Sequence, residues 1–202
     1  MNPSSKDEAI RRLSEEVEAC RRCGLCEGRK RAVIGEGDLD SPVVLVGEAP
    51  GRKEDEQGRP FVGSAGRLLD VLLAEAGFER RGVYITNVVK CRPPGNRRPK
   101  AEELRECTAH LERQLEIIAP RVLVPMGNSA SGYVMRRYGL GRDSIGEVHG
   151  KSFPTEARWG RLIVFPLYHP AAVLYNRQLE KDVRRDLREL REIISRPSPS
   201  GP

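Results

Sequence analysis

The stretch Val43-Val-Leu-Val-Gly47, followed directly by Glu48-Ala-Pro-Gly51, decides the fold. Its continuous aliphatic run is typical of a strand that is buried on both faces of a parallel sheet, and the glycines and the proline end it abruptly. The residues that follow, up to Gly63, are too rich in glycine and charge to pack as core. Because open α/β sheets bind ligands at the carboxyl ends of their strands, we expect a functional site in this loop.

Three further strands and several helices are predicted around this stretch. Apolar runs indicate strands at 83–89, 121–127 and 162–168. Apolar residues at helical spacing predict helices at 7–20, 64–76, 101–118, 128–138 and 179–194. Residues 145–153 are ambiguous and fit an edge strand with a turn at Gly150. The alternation predicts a single domain, residues 1–195, as a three-layer α/β/α sandwich with a central, mainly parallel four-stranded sheet, and a disordered tail at 196–202.

Charge and composition restrict the class of protein. Lys and Arg number 35 against 29 Asp and Glu, which gives a net charge of +6. This balance is compatible with a nucleic-acid partner and equally with an ordinary basic protein. Arginine predominates over lysine, which fits a GC-rich genome or a thermophile. No apolar run could span a membrane and no signal-peptide core begins the chain, so we expect a cytoplasmic protein.

Four side chains stand at or after the carboxyl ends of predicted strands: Glu48, Phe61, Asn87 and His169. In a parallel sheet these ends share one edge, so the four could converge on one pocket. An Asn offers a donor and an acceptor, a His can donate to a developing oxyanion, and an aromatic ring can stack on a planar ligand. Together they suit a heterocyclic base. Each alone also has a purely structural explanation, and their convergence favours the functional one.

The five cysteines indicate a metal site, because disulfides are rare in a reducing compartment. Cys20, Cys23 and Cys26 form two overlapping Cys-x-x-Cys pairs, and Cys91 with Cys107 could supply the other half. Four thiolates fit either tetrahedral zinc or a [4Fe–4S] cluster, and spacing does not separate the two. The alternative is that Cys91 and Cys107 are buried free thiols, although the charge and proline around Cys91 argue against it.

Four basic side chains stand on the proline-rich loop between the last two cysteines: Arg92, Arg97, Arg98 and Lys100. A stiff loop of this kind suits contacts to DNA phosphates. A solvated surface loop is the alternative interpretation.

The ordered motifs resemble those of the family 4 uracil-DNA glycosylases, the iron–sulfur branch of the uracil-DNA glycosylase superfamily. The matching segments are Gly47-Glu-Ala-Pro-Gly51, Gly58-Arg-Pro-Phe-Val-Gly63, Ile85-Thr-Asn-Val-Val-Lys-Cys-Arg-Pro-Pro94 and His169-Pro-Ala171. The resemblance extends from about Cys20 to the last helix. It implies that the chain is an enzyme with a uracil-DNA glycosylase-like fold that releases uracil from DNA by hydrolysis and leaves an abasic site. It also implies uracil-containing DNA, single- or double-stranded, as the substrate, a monomer, and a sliding clamp as a partner in repair.

The resemblance carries specific roles onto the predicted pocket. Phe61 would stack on the flipped uracil, Asn87 would read its polar edge, and His169 would donate a hydrogen bond to uracil O2. These roles suit a reaction in which uracil departs as an anion, because the largest gain then comes from stabilising the leaving group.

The water-activating residue is the point at which this chain departs from the best-known branch of the superfamily. Ala49 stands where that branch has an Asp, and a methyl group cannot activate water. Glu48 and Glu54 would line the pocket, and Glu48 or backbone groups would hold the attacking water. Glu48 is therefore the third expected catalytic residue beside Asn87 and His169.

The resemblance also implies a [4Fe–4S] cluster with a structural role, held by Cys20, Cys23, Cys91 and Cys107. Cys23 is preferred over Cys26 because Glu27-Gly-Arg follows the second ligand at the family's spacing. Two other functions stay open. One is a related iron–sulfur glycosylase of broader base specificity, and the other is a non-catalytic, metal-bearing module that binds nucleic acid.

Overall fold

A computed structural model of the chain describes residues 3–141 and 143–196. The strands in these ranges are β1 (Glu36–Gly37), β2 (Val43–Gly47), β3 (Tyr84–Asn87), β4 (Val122–Pro125), β5 (Phe153–Ala157) and β6 (Gly160–Val164). The helices are α1 (Pro3–Ala19), α2 (Leu25–Gly28), α3 (Arg52–Gln57), α4 (Ser64–Glu75), α5 (Ala101–Ile118), α6 (Gly127–Arg137), α7 (Ile145–Val148), α8 (Pro170–Tyr175) and α9 (Leu179–Ser195).

The sheet has the strand order β1-β3-β2-β4-β6-β5. The four predicted strands form its parallel centre, with β2 between β3 and β4 and with β6 beside β4. Two antiparallel edge strands, β1 and β5, make the sheet wider than the four strands predicted. The ambiguous segment 145–153 divides into α7 and the start of β5, separated by Gly150 in the left-handed conformation.

Helices cover both faces of the sheet because successive residues of β2 point to opposite sides. Val43 and Leu45 pack in one core with residues of α4 and α9, namely Leu69, Leu72, Leu73, Val183 and Leu187. Val44 and Val46 pack in the other core with residues of α5 and α6, namely Leu111, Leu115, Ala130 and Val134. All the side chains of β2 are therefore buried, which explains its lack of polar alternation. The predicted three-layer α/β/α architecture is confirmed.

The first described helix packs outside the two cores. The first helix extends from Pro3 to Ala19, close to the predicted 7–20, and Leu13 and Val17 are buried in a small cluster beneath it. The predicted disordered tail begins at Arg196, and its remaining residues, 197–202, lie outside the described residues. No helix within the described ranges is long and apolar enough to cross a membrane.

Two short helices border the carboxyl edge of the sheet, where the sequence predicted loops. The first, α3, ends at Gly58, whose left-handed backbone (φ 71°) stops the helix as a glycine readily does. The second, α8, starts with Pro170 at its first position and has His169 as its N-cap. Short helices that are rich in proline, glycine and charge show no apolar periodicity, so the sequence does not predict them. These two helices nevertheless set the position of the side chains at the edge of the sheet.

Candidate active site

A cavity of about 470 Å³ opens at the carboxyl ends of β2 and β3 and beside the start of α8. It is lined by all six side chains that the sequence predicted for a pocket: Glu48, Ala49, Glu54, Phe61, Asn87 and His169. The structure thus brings together residues that are separated by more than one hundred positions in the chain. Ser64, Pro93, Arg97 and Tyr175 are among the other lining residues.

Asn87 forms the buried wall of this cavity. It is the last residue of β3, is 2% exposed, and pairs in register with Gly47 of β2. A β-carbon on Gly47 would lie 2.3 Å from Asn87 Oδ1 and 2.7 Å from Cζ of the Phe61 ring. Glycine is therefore required at position 47, because any side chain would displace two walls of the cavity at once.

Phe61 forms a neighbouring wall and has an unusual backbone. Its φ of 51° lies in the left-handed region, which is unfavourable for an aromatic residue. The Glu54 Oε1 atom accepts hydrogen bonds from the amides of Val62 (2.9 Å) and Gly63 (2.7 Å). Gly66 of α4 allows close packing, since a β-carbon there would lie 1.7 Å from the Phe61 carbonyl oxygen. The carboxylate of Glu54 therefore fixes the loop that presents the ring.

Arg80 holds the other side of this loop and was not predicted from the sequence. Its guanidinium donates to the Pro60 carbonyl at 2.7 Å, directly before Phe61. The same group pairs with Glu36 at 2.8 Å and with Asp70 at 2.6 Å. Because these anchors lie on β1 and α4, the backbone of Phe61 is held from both directions.

The His169 ring packs beside Phe61, with the ring centroids 5.5 Å apart and the ring planes tilted by 33°. Its Nδ1 accepts a hydrogen bond from the amide of Ala171 at 3.1 Å, as the N-cap of α8. A nitrogen that accepts from a backbone amide carries no proton, so the proton of the neutral ring is on Nε2. Burial lowers the pKa of His169 to about 4, which keeps the ring neutral at physiological pH. The side chain is thus a neutral hydrogen-bond donor.

Glu48 and Ala49 continue the cavity wall after β2. One carboxylate oxygen of Glu48 accepts a hydrogen bond from the Ser129 hydroxyl at 2.9 Å. The Glu48 carbonyl accepts from the amide of Val89 at 3.1 Å, which extends the β2–β3 pairing past the strand. Ala49 packs against the cluster that contains two of the cysteines. Ser129, on α6, was missed by the sequence because a serine near the start of a helix has no distinctive pattern.

All five cysteines line a second, smaller cavity on the far side of Ala49. Nitrogen atoms lie near three of the sulfur atoms. Cys91 Sγ accepts a hydrogen bond from Arg29 Nη1 at 3.1 Å, Cys107 Sγ accepts one from the Lys90 amide at 3.2 Å, and Cys20 Sγ lies 3.5 Å from His110 Nε2. Within residues 3–141 and 143–196, no group of three or more His, Cys, Asp or Glu side chains has the geometry to hold a metal ion. Burial raises the pKa of the Cys107 thiol to about 11.

Lys90 lies between the two cavities and is another residue that the sequence did not single out. Its side chain is completely buried. Its Nζ donates to Thr86 Oγ1 at 2.8 Å, to the Asn87 carbonyl at 2.8 Å and to Gln114 Oε1. Burial lowers the pKa of Lys90 to about 7, although Cys107 and Cys91 oppose the shift. A lysine that follows an apolar strand is usually solvated, and no sequence pattern would have indicated its burial.

The four basic side chains of the loop after Cys91 differ in their exposure to solvent and in their hydrogen-bond partners. Arg97 forms a two-pronged ion pair with Glu103 at 2.8 and 2.6 Å, and Arg92 donates to Asn96 Oδ1 at 2.7 Å. Arg98 and Lys100 are exposed. Of the four predicted phosphate contacts, these two are the cations presented to solvent.

The mouth of the cavity also carries apolar surface. Leu174 and Tyr175, at the end of α8, are 48% and 94% exposed. Large apolar side chains exposed beside a cavity are common at binding sites. Neither residue was predicted from the sequence, because both belong to the apolar run after His169 and resemble core residues.

Comparisons with known proteins give a consistent result. The sequence model of the family described as "Uracil DNA glycosylase superfamily" matches residues 34–191. Three curated relatives are each named "Type-4 uracil-DNA glycosylase". The protein from Sulfurisphaera tokodaii is 44% identical over 191 residues, which cover 94% of this chain and 87% of the relative. The protein from Archaeoglobus fulgidus is 43% identical, covering 96% and 97%, and that from Thermotoga maritima is 41% identical, covering 95% and 98%.

Proposed function

Because the chain belongs to the uracil DNA glycosylase superfamily and, within it, to the type-4 uracil-DNA glycosylases, we propose that it hydrolyses the N-glycosidic bond of deoxyuridine in DNA. The products are free uracil and an abasic site, so the enzyme is a monofunctional glycosylase of base excision repair. The observation that carries the proposal is the neutral His169 ring, with its Nε2 proton, in a cavity that also contains Phe61 and Asn87.

The three side chains suit the departure of uracil as an anion. Phe61 offers a ring face on which a pyrimidine can stack, and Asn87 offers an amide that can pair with the polar edge of uracil. His169 Nε2–H donates to uracil O2, where negative charge develops as the bond to the sugar breaks. A neutral donor is well suited to this task because it stabilises the oxyanion without protonating it first.

Water addition completes the reaction at the sugar carbon. The electron pair of the breaking C–N bond leaves with uracil, and water supplies the new C–O bond and releases a proton. Ala49 cannot activate this water, so Glu48 is the residue that holds it. The Ser129 hydroxyl fixes one Glu48 oxygen, which leaves the other to accept from the water.

DNA binding brings the base to the cavity. The target nucleotide must leave the stack before its glycosidic bond can be reached. Arg98 and Lys100 provide exposed positive charge for phosphates, and Tyr175, which lines the cavity, provides exposed apolar surface together with its chain neighbour Leu174. Single-stranded and duplex DNA are both substrates in this proposal. Clamp binding, a monomeric state and a cytoplasmic location stay predictions.

The cysteine cavity supports a [4Fe–4S] cluster held by Cys20, Cys23, Cys91 and Cys107. The donor set fits, because the four thiols line one cavity, and the two buried ones, Cys91 and Cys107, accept hydrogen bonds from Arg29 and from the Lys90 amide that stabilise thiolates. These four cysteines would hold the cluster, which would supply a structural cross-link. The cluster would cross-link α5 to the segment before β1, and hydrolysis requires no electron transfer from it.

The decisive experiment measures release of free uracil. Single-stranded and duplex oligonucleotides that contain one deoxyuridine are incubated with the purified protein and then treated with alkali, which cleaves abasic sites. We expect cleavage at uracil and none at cytosine or thymine. Absence of cleavage at uracil at every temperature would overturn the proposal, and DNA binding without release would indicate a non-catalytic module. Comparable cleavage at hypoxanthine or ethenocytosine would indicate the broader glycosylase.

A matched pair of cysteine variants tests the cluster. We expect wild-type protein to be brown and to contain about four iron atoms per chain. Cys26→Ser should keep iron and inorganic sulfide at the wild-type level, whereas Cys91→Ser should lose most of both. A colourless wild-type protein that contains one zinc ion would overturn the assignment. Loss of iron in Cys26→Ser would show that Cys26, rather than Cys23, is a ligand of the cluster.

A further inference from the structure

The three hydrogen-bond acceptors around Lys90 Nζ match the charged, ammonium form of the side chain. The Asn87 carbonyl can only accept. Thr86 Oγ1 donates its own hydrogen to the Ile34 carbonyl at 2.6 Å, so it too accepts from Lys90. Gln114 uses its amide nitrogen to donate to Ile34 and Tyr84, which leaves Oε1 as the acceptor. Three acceptors need three N–H bonds, and a neutral amine has two.

This buried cation has no carboxylate partner among the described residues. None of the ion pairs in those ranges includes Lys90, whereas the buried carboxylates of Glu103 and Asp186 each pair with an arginine. An uncompensated buried charge is strongly unfavourable. Two of the cysteines are its neighbours: the Lys90 amide donates to Cys107 Sγ at 3.2 Å, and Cys91 is the next residue in the chain. Thiolates that bind iron would therefore supply the missing negative charge.

The two ends of Lys90 touch different cavities. Its backbone amide donates to Cys107 Sγ at 3.2 Å, and its Nζ donates to the carbonyl of Asn87 at 2.8 Å. We propose that Lys90 is a positioning residue that couples the cysteine centre to the substrate cavity: the anionic centre balances its buried ammonium, which in turn holds the Asn87 carbonyl. The inference rests on the proposed function, because it takes Asn87 as the residue that reads uracil.

The coupling gives the cluster a role in catalysis without contact to substrate. When the centre is lost, the ammonium has no balancing charge, and the end of β3 must shift to reach water. Asn87 would then move with the strand, and the hydrogen bonds to uracil would be lost. Conversely, removal of the ammonium leaves the anionic centre without its nearest buried cation, so the centre should be held less tightly.

The first test replaces the ammonium with an apolar side chain of similar length, Lys90→Met, and uses Lys181→Met, an exposed lysine of α9, as the control. Iron content and the rate of iron loss to a chelator are measured together with single-turnover uracil release. We expect iron to be lost about 10-fold faster from Lys90→Met. Uracil release should fall about 10- to 100-fold while the Kd for DNA stays close to the wild-type value. The control should match the wild type in all three.

A gentler pair of variants covers the case in which Lys90→Met does not fold. Thr86→Val removes one acceptor of the ammonium while keeping the side-chain shape, and Thr86→Ser keeps the hydroxyl group. We expect Thr86→Val to lose iron faster than the wild type and to release uracil more slowly, and Thr86→Ser to behave nearly as the wild type.

The outcomes separate this inference from the proposed function. Wild-type protein that releases no uracil overturns the function itself. Active wild-type protein without iron, or a Lys90→Met variant that keeps wild-type iron retention and uracil release, overturns the coupling. Slower release with unchanged iron retention also overturns it, because the effect would then be local to β3.

Discussion

The substrate cavity and the cysteine cavity meet at the end of β3, yet their polar groups are satisfied in different ways. In the substrate cavity, Glu54, His169 and Glu48 bond to backbone amides or to a serine hydroxyl, and the histidine is kept neutral. In the cysteine cavity, the Arg29 guanidinium and the Lys90 backbone amide donate to sulfur, and the buried ammonium of Lys90 has no carboxylate partner among the described residues. The first cavity is complete with protein groups alone, whereas the second needs an additional negative charge. Pre-organisation and cofactor binding are thus divided between neighbouring sites.

Removal of the His169 side chain should damage the substrate cavity most and leave the cysteine cavity intact. We expect His169→Ala to lower single-turnover uracil release by about 100- to 1,000-fold, the usual effect of losing one donor to a developing oxyanion. Iron content and DNA affinity should stay at wild-type values, because His169 contacts neither the cysteines nor the exposed basic loop. A rate close to that of the wild type would show that another group stabilises the departing uracil.

A methyl group on Gly47 should displace both walls of the substrate cavity. A β-carbon there would lie 2.3 Å from Asn87 Oδ1 and 2.7 Å from the Phe61 ring. We expect Gly47→Ala to lower uracil release about 100-fold through misplacement of these groups. Gly132→Ala in α6 is the matched control, since its nearest neighbour would be the flexible tip of Arg136 at 3.8 Å. Equal rates for the two variants would mean that the cavity adapts to the extra methyl group.

Loosening the support of Phe61 should have a smaller effect. Arg80→Met removes the hydrogen bond to the Pro60 carbonyl while keeping the apolar stem. We expect KM for uracil-containing DNA to rise about 3- to 10-fold with a smaller change in kcat. Arg81→Met is the control, because Arg81 is exposed and pairs only with Glu79 among the described residues. A fall in kcat alone would indicate that Phe61 acts in the chemical step rather than in binding.

Acid should destabilise the protein through His169, and this is the smallest effect expected. The pKa of His169 is about 4 in the folded chain, below its ordinary value of 6.5. The unfolded chain therefore binds the extra proton first, and stability is lost as the pH falls from 6.5 towards 4. Thermal unfolding at pH 7 and pH 4.5 should show a larger drop in Tm for the wild type than for His169→Gln. Equal drops would contradict the neutral, buried state of the ring.

The central strands and long helices could be predicted because their signals are strong. The buried run of β2, and the apolar spacing of α5 and α9, each extend over several turns or over a whole strand. The edge strands could not be predicted in the same way, because β1 has only two residues and β5 includes a proline and a glutamate. Edge strands pair on one side only, so their sequences need little apolar character.

The lining of the substrate cavity was predictable because strand ends in a parallel sheet share one edge. This reasoning led to Glu48, Phe61, Asn87 and His169, and the structure places all four on one cavity. The residues that support them were not predictable. Lys90 and Arg80 act on backbone carbonyls that only the folded chain brings near, and charged side chains of this kind ordinarily face solvent.

One face of α5 contacts nearly every part of this arrangement. Glu103, Cys107, His110 and Gln114 are buried along it at helical spacing. They reach in turn the basic loop through Arg97, the sulfur atoms, and the ammonium of Lys90. We therefore expect this helix to open as a single cooperative unit and to expose the loop, the cysteines and Lys90 together. Native-state hydrogen exchange should find one common opening free energy for the amides of α5 and for those that follow β3.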